Sequence, residues 1–537
     1  MADTAPDTAP DTAARFRGLA EDTVDDLLRL GPERATDLGD HRYDDRLDDL
    51  SESGLAERRR VLARRRDELD SLDADELDRA EAVDAGILRA ALDRDLFALD
   101  RLAEHRWNPL VWLPGDALYP LLARDTRPVP ERLRALAGRL AAVPDRLAAA
   151  RATLTEMPRV HVQTAIGQTA GVVALVRDEV PALLGRAPGL AGEVEPARAA
   201  ALRALQTHQA WLDGQQDTAA GDPRLGPELF AAKLHLELDA DLAAERVVRL
   251  AREKLAEVAE ELREVATDWV GTGDDPVAEA LRRCAREAPT DRTIVPLARQ
   301  ALADTTELVR RSGIVRVPEE PAEVQVMPEF RRGVAVAYCD APGPLETGGT
   351  TYYAISPTPA DWPAERVASF YREYNTAQLV DLTVHEAMPG HLLQLGHARR
   401  YRGTTPVRQV LASGSFIEGW AVHAEEIMAG LGCGGPATRV QRLKMMLRTA
   451  INALLDAGVH ADGMTEAEAL ALMTGAGHQE EGEAVGKWRR ARLTSAQLST
   501  YFVGYAELAP LVAGRGRYDE VLAHGSPPPR HLAALLG

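Results

Sequence analysis

The stretch LAAERVVRLAREKLAEVAEELREVATDW, residues 242–269, constrains the fold more than any other. Ala251, Leu255, Val258, Leu262, Val265 and Trp269 recur in it at alternating spacings of four and three. That period writes one apolar seam along a long helix and is incompatible with a strand, whose faces alternate every second residue. The seam suits a coiled coil between chains. It suits equally a bundle helix packed inside one chain, and the bundle is the expectation because the surrounding text has the same texture. From about Ala14 to Ser312, Ala, Leu, Arg and Glu dominate and β-branched runs are scarce, as in strings of helices. Proline breaks at Pro128–Pro130, Pro144 and Pro158 predict several separate helices there.

The texture changes near Ile314. The segments VQVMPEF, VAVAYCDAP and TTYYAISP are rich in β-formers and separated by Gly and Pro clusters. They predict a small antiparallel sheet over about 323–357, its last two strands joined by the turn PGPLETGG. Helical text returns near Pro363 and continues to the end. The opening DTAPDTAPDT repeat, within residues 1–14, has no apolar pattern and reads as a disordered tail. No later point reads as a linker. The expectation is a mainly α protein: one large domain over 15–537, with a helical half (15–312) and a half carrying the sheet (313–537).

Composition narrows the function. A formal charge of −20, from 63 basic and 83 acidic residues, argues against nucleic acid as a partner, because such binding rests on Lys and Arg contacts to phosphate. No charge-free apolar run is long enough to span a bilayer. Three widely spaced cysteines, Cys284, Cys339 and Cys433, form no disulfide or metal framework and suit a reducing cytoplasm. The N-terminus lacks the basic start and apolar core of a secretory signal, so the expected location is cytoplasmic.

The chemistry concentrates in TVHEAMPGHLLQ, residues 383–394. Zinc helices commonly carry H-E-x-x-H, which puts two histidines on one helical face. Here His385 and His391 are six apart, about 120° around a helix, and one continuous helix cannot aim both at one ion. Pro389 cannot bond back to the carbonyl of His385, and Gly390 readily takes positive φ. The chain can therefore leave the helix after Met388 and return His391 toward His385. Glu386, next to the first histidine, is placed to take a proton from metal-activated water and pass it to a leaving amine. The pattern read alone fits a metal site and a plain helix end equally.

A third ligand must come from elsewhere. SGSFIEGWAVHAEE, some 27 residues past His391, holds Glu418 beside Trp420. A buried carboxylate needs a partner, and a metal would be one. Glu425, two turns on, is a rival ligand or a carboxylate supporting a ligand from behind. His423 and His397 are further candidates whose simpler reading is packing or surface.

VHEAMPGHLLQ followed by FIEGWAVHAEE resembles the bacterial family known as domain of unknown function 885, itself similar to the gluzincin metallopeptidases. PERATDLGDHRYDDRLDDLS (32–51), LGPELFAAKLHLELDAD (225–241), LLDAGVHADGMTEAEAL and QLSTYFVG extend the resemblance over nearly the whole chain. It implies a helical, cleft-forming fold with the sheet flanking a zinc site. The metal ligands would be His385, His391 and Glu418, whose Glu-Gly-Trp-Ala context is similar to the zinc-binding Glu-Gly-Phe-Ala of N-type aminopeptidases. Glu386 would be the general base. His460 and Tyr501 fall on family positions suited to stabilising an oxyanion. Arg490 would hold a substrate carboxylate through a forked contact. Tyr352 and Tyr353, in GGTTYYAISP, would lie on a strand edge that binds substrate backbone.

Three positions depart from the family pattern: Leu392 where a second histidine is frequent, Ser495-Ala496-Gln497 for Pro-Gly-Gln, and Asn452 for an expected arginine. The expected activity is zinc-dependent hydrolysis of amide bonds in short peptides. The drift keeps open a non-peptide amide or specialised metabolite as substrate. A binding protein on a peptidase scaffold is the non-enzymatic alternative.

Overall fold

The computed structural model describes residues 12–319, 322–327 and 336–537. Residues 1–11 of the predicted tail lie outside these. The first helix, Thr12–Leu30, begins inside the stretch 1–14 assigned to that tail.

The seam helix, Ala244–Val270, buries Val247, Ala251, Val258, Leu262 and Val265. It packs along the long helix Gly435–His460, so its apolar stripe is filled within the chain. Each buried Val or Leu there is worth about 1.5–3 kcal/mol over exposure. A second long pair, Val129–Thr153 against Ala191–Gln215, builds the core of the N-terminal half around Leu136, Leu140 and Leu205. Pro128 and Pro158 precede helices as expected. Pro144 does not break one: it sits inside Val129–Thr153. A proline forfeits one backbone hydrogen bond, but here Leu140, Val143 and Leu147 are fully buried on either side of it, and that packing carries the helix through.

The sheet differs from the antiparallel one expected. Its strands are β1 (Ala322–Val326), β2 (Ala337–Asp340) and β3 (Thr351–Ile355), in the order β1-β3-β2. β2 and β3 are antiparallel across the predicted turn, whereas β1 pairs with β3 in parallel. The sheet is therefore mixed, and β3 is its central strand. Alternation in a sequence marks strands but not their order. Tyr353 is fully buried, and its hydroxyl lies 3.1 Å from the Thr383 hydroxyl. The exposed edge expected at Tyr352 and Tyr353 does not exist: both sides of β3 are paired, and Tyr353 is a core residue.

The β2–β3 turn docks on the segment 32–51. His41 lies 2.8 Å from Asp44 and 3.0 Å from Glu346 in the turn, and the Leu345 N–H donates to the Leu38 carbonyl. Hydrogen bonds to Asp44 and Glu346 push the His41 imidazolium up to about 9. A raised pKa in the folded state means that the stabilisation is complete below the unfolded value, about 6.5, and is lost as pH rises through 9. The denaturant midpoint of the wild type is expected to exceed that of His41→Gln at pH 6 and to converge with it near pH 10. Parallel midpoints across that range would refute the linkage.

Candidate metal centre

The helix Thr376–Glu386 is capped by Asn375, whose side chain accepts from the Gln378 N–H. It ends at Glu386, two residues earlier than expected, and a new helix begins at His391. Between them the chain folds back tightly: the Gly390 N–H donates to the Val384 carbonyl at 2.9 Å. Gly390 has φ −71°, so positive φ is not what this turn uses. Space is. A Cβ at 390 would lie 1.8 Å from the His385 carbonyl oxygen, so only glycine lets the turn close over the end of the helix.

The turn does return His391 to His385. Their rings are 4.8 Å apart, nearly perpendicular at 85°. Glu418 enters from the helix Gly414–Gly430. Its Oε2 lies 3.4 Å from Nε2 of His385 and 3.4 Å from Nε2 of His391. One ligand atom from each of the three lies within 4.8 Å of the others. Zinc–ligand bonds of roughly 2.0–2.1 Å in a tetrahedron separate ligand atoms by about 3.4 Å, so the two imidazoles and the carboxylate fit one divalent ion. Glu418 Oε2 is buried and makes no hydrogen bond. A buried carboxylate oxygen unanswered by any protein donor suits a metal ligand.

The geometry separates the two glutamates. Glu425 is buried, and its Oε1 lies 2.7 Å from His385 Nδ1. It supports the imidazole from behind and leaves Nε2 toward Glu418, as carboxylates behind ligand histidines do. His423 packs against Trp420 and Tyr518, and His397 faces the Arg316 carbonyl at 2.8 Å. Neither joins the trio.

Glu386 stands beside it. Burial pushes its carboxyl above the usual range, and His391 and His385 offset that only in part. The Cys339 backbone N–H in β2 hydrogen-bonds to the same carboxylate. Burial would raise Glu418 too, but His391 and His385 outweigh it and hold that carboxyl well below its ordinary value. Two glutamates in one site are thus driven apart, one carboxyl held down and the other pushed up.

Two supports escaped the sequence reading. Trp420 Nε1 donates to the Pro389 carbonyl at 2.8 Å, pinning the ligand turn to the helix that carries Glu418. Gly419 and Gly504 let that helix meet Ser499–Val512 backbone to backbone: a Cβ at 419 would lie 2.4 Å from Gly504. Of the Glu-Gly-Trp signature, then, Glu faces the two histidines, Gly permits the helix contact and Trp holds the turn.

Of the remaining predicted residues, His460 lies elsewhere. His460 is buried, stacks on Phe230 and places Nε2 2.9 Å from the carbonyls of both Ala491 and Thr494. It is 18 residues along its helix from Arg442, which interacts with Asp381 near the trio, or about 27 Å along the axis. The structure does not bring His460 to the trio, because one helix carries both residues and they lie about five turns apart on it. Arg490 and Tyr501 meet each other. Arg490 Nη2 donates to Gln497 Oε1 at 2.8 Å and to the Tyr501 hydroxyl at 3.4 Å. Asp456 accepts from the backbone N–H groups of Ala496 and Ser499, each at 3.0 Å, and so fixes the departed Ser-Ala-Gln segment.

The profile of a family described as "Bacterial protein of unknown function (DUF885)" matches residues 32–536. Among curated protein sequences none matches this chain. Two solved structures are similar over nearly their full lengths. A "putative lipoprotein of unknown function" from Shewanella oneidensis superposes with a TM-score of 0.78 at 26% identity, covering 96% of this chain and 98% of that one. A "putative lipoprotein" from Colwellia psychrerythraea superposes with a TM-score of 0.80 at 16% identity, covering 98% of each, a likeness of fold.

Proposed function

Because this chain belongs to DUF885, a bacterial family of unknown function, we propose from its own geometry that it is a zinc-dependent hydrolase of amide bonds acting on short peptides. The observation that carries the reading is the approach of His385 Nε2, His391 Nε2 and Glu418 Oε2 to one another, with Glu386 adjoining. A divalent ion held there supplies Lewis acidity, which polarises a carbonyl and acidifies water. Glu386 takes the proton from water and delivers it to the leaving nitrogen. Glu425 holds His385 in the tautomer that presents Nε2. The likeness to gluzincins rests on this same set of roles.

The substrate backbone is assigned to β2 rather than β3. Cys339 lies opposite Tyr353, and its N–H turns to Glu386 instead, so the outer side of β2 faces the centre. An extended peptide added along that side would bring a carbonyl carbon past Glu386. Tyr501 and Arg490, already paired, are the groups proposed to contact an oxyanion and a substrate carboxylate. His460 is dropped from the catalytic set.

The test is incubation of the purified protein with a defined mixture of di- to decapeptides, read by mass spectrometry. Cleavage is expected, abolished by chelation and restored by zinc. Intact peptides throughout, with stoichiometric metal bound, would favour the binding-protein reading. Turnover of non-peptide amides alone would favour the specialised substrate. Among the described residues no helix is long and apolar enough to cross a membrane. A cytoplasmic location is proposed on the three unpaired cysteines. Recovery of the native protein in the envelope fraction, in keeping with the names of the two structural neighbours, would overturn it.

A further inference from the structure

No residue of the segment 32–51 belongs to the trio, yet this segment grips the turn that leads out of the strand beside Glu386. The grip is backbone to backbone. The Leu345 N–H donates to the Leu38 carbonyl at 2.9 Å. Two glycines allow the approach, one from each side. Gly39 has φ +88°, and a Cβ there would lie 2.7 Å from the Glu346 backbone nitrogen. A Cβ at Gly343 would lie 2.3 Å from the Leu38 carbonyl carbon. Contacts this dense transmit a displacement rather than absorb it.

Side chains close around the same turn. His41 reaches Asp44 and Glu346, and Asp44 is held in its place by the Thr36 hydroxyl at 2.7 Å and by Arg127 at 2.9 Å. Gln409 Nε2 donates to the Pro344 carbonyl at 3.0 Å. Arg399, which follows the helix that starts at His391, donates to the Gly348 carbonyl at 2.9 Å. Arg124 carries the connection into the sheet. Its Nη1 donates to Asp37 at 3.0 Å and its Nη2 to Asp340 at 3.4 Å. A guanidinium is a rigid planar fork, so one arginine fixes two carboxylates relative to each other. Asp340 is the last residue of β2 and the neighbour of Cys339, whose N–H hydrogen-bonds to Glu386. β2 is an end strand of only four residues, and so short a strand owes its position to what anchors its ends.

We propose that the segment 32–51, acting through Arg124 and the β2–β3 turn, positions the Glu386 carboxylate by holding β2 in place. Arg124 and Asp37 are then positioning residues: they act through the Cys339 N–H and not on the substrate. That N–H engages the carboxylate from one side and so fixes how it faces the two histidines. The catalytic consequence rests on the hydrolase reading, whereas the positioning itself is readable without turnover. The competing account is a scaffold role, in which the segment joins two parts of the chain and Glu386 is indifferent to it.

The test has two arms, both on the full chain. Protein carrying isotope-labelled cysteine gives three amide resonances, from Cys284, Cys339 and Cys433, and that of Cys339 is identified by its loss in Cys339→Ala. Its exchange with solvent deuterium reads the bond to Glu386, with Glu386→Ala as the reference for the bond's absence. Arg124→Met is expected to speed exchange at Cys339 about tenfold or more, the worth of a hydrogen bond to a charged group, and to leave Cys284 and Cys433 unchanged. The second arm is steady-state kinetics of the zinc-loaded chain on a peptide cleaved by the wild type. Arg124→Met and Asp37→Asn should each lower kcat about tenfold, since a small misplacement of a catalytic group costs at least that much, with zinc content unchanged. Their double variant should lose little more than Arg124→Met, because both cut one bridge. A scaffold role would lower the melting temperature and leave the kcat of folded, zinc-loaded protein alone. Should Arg124→Met not fold, Asp37→Asn, which keeps the shape of its side chain, decides by both readouts. Unchanged exchange at Cys339 would overturn the proposal even in an active enzyme, and so would an unchanged kcat beside faster exchange. A wild type without turnover whose Cys339 exchange still quickens in Arg124→Met would count against hydrolysis and for the positioning.

Discussion

Purified His391→Ala is expected to carry almost no zinc where the wild type carries about one ion per chain. The proposed site has three protein ligands, and catalytic zinc needs three with an open fourth position. Removing one leaves His385 and Glu418, a pair unable to hold the ion against buffer. Plasma mass spectrometry of dialysed protein measures the content, and His397→Ala, which alters a histidine facing the Arg316 carbonyl, serves as the control with normal loading. Thermal melting gives an independent readout. A ligand that binds only the folded state raises stability by RT ln(1 + [L]/Kd), so chelation should lower the melting temperature of the wild type and leave His391→Ala unmoved. Full zinc content in the variant would refute the centre.

Glu386→Gln is expected to have the opposite profile: metal retained, turnover lost. Gln keeps the shape and can still accept from the Cys339 N–H, but it cannot take a proton. General base catalysis is worth about 10²- to 10⁴-fold, and kcat should fall by that factor with KM little changed, because the residue acts on the proton and not on substrate affinity. Steady-state kinetics on any peptide cleaved by the wild type would measure it. A variant that keeps its kcat would remove Glu386 from the mechanism even if the metal is bound.

Much of this site is legible in the sequence. His385, His391 and Glu418 are recognisable by type and context, and Pro389-Gly390 marks where the helix must end. The reason for Gly390 is not legible. Positive φ and close approach are both ordinary uses of glycine, and only the 1.8 Å approach to the His385 carbonyl decides between them. Glu418 and Glu425, seven residues apart, share a helical face, so spacing cannot rank them. The ring nitrogen each one faces does: Nε2 for Glu418 and Nδ1 for Glu425. Tyr353 reads as half of an alternating pair and turns out to be core, because β1 occupies the side of β3 that the sequence left open.

By itself the sequence determined the local periodicities: a helical chain with one apolar seam, a short β-rich interruption, and three candidate metal-ligating side chains in two motifs. Those features follow from neighbours within a few turns, where 3.6- and 2-residue repeats dictate which faces are apolar. The tertiary structure alone decided what depends on contacts between residues far apart in the chain. It put β3 in the middle of a mixed sheet, turned the Cys339 N–H toward Glu386, and took His460 out of the metal centre into a cavity with His161, 299 positions earlier in the chain. Spacing along a chain is informative only while the chain keeps one regular direction. Beyond a turn, position is set by packing, and packing is a property of the whole fold.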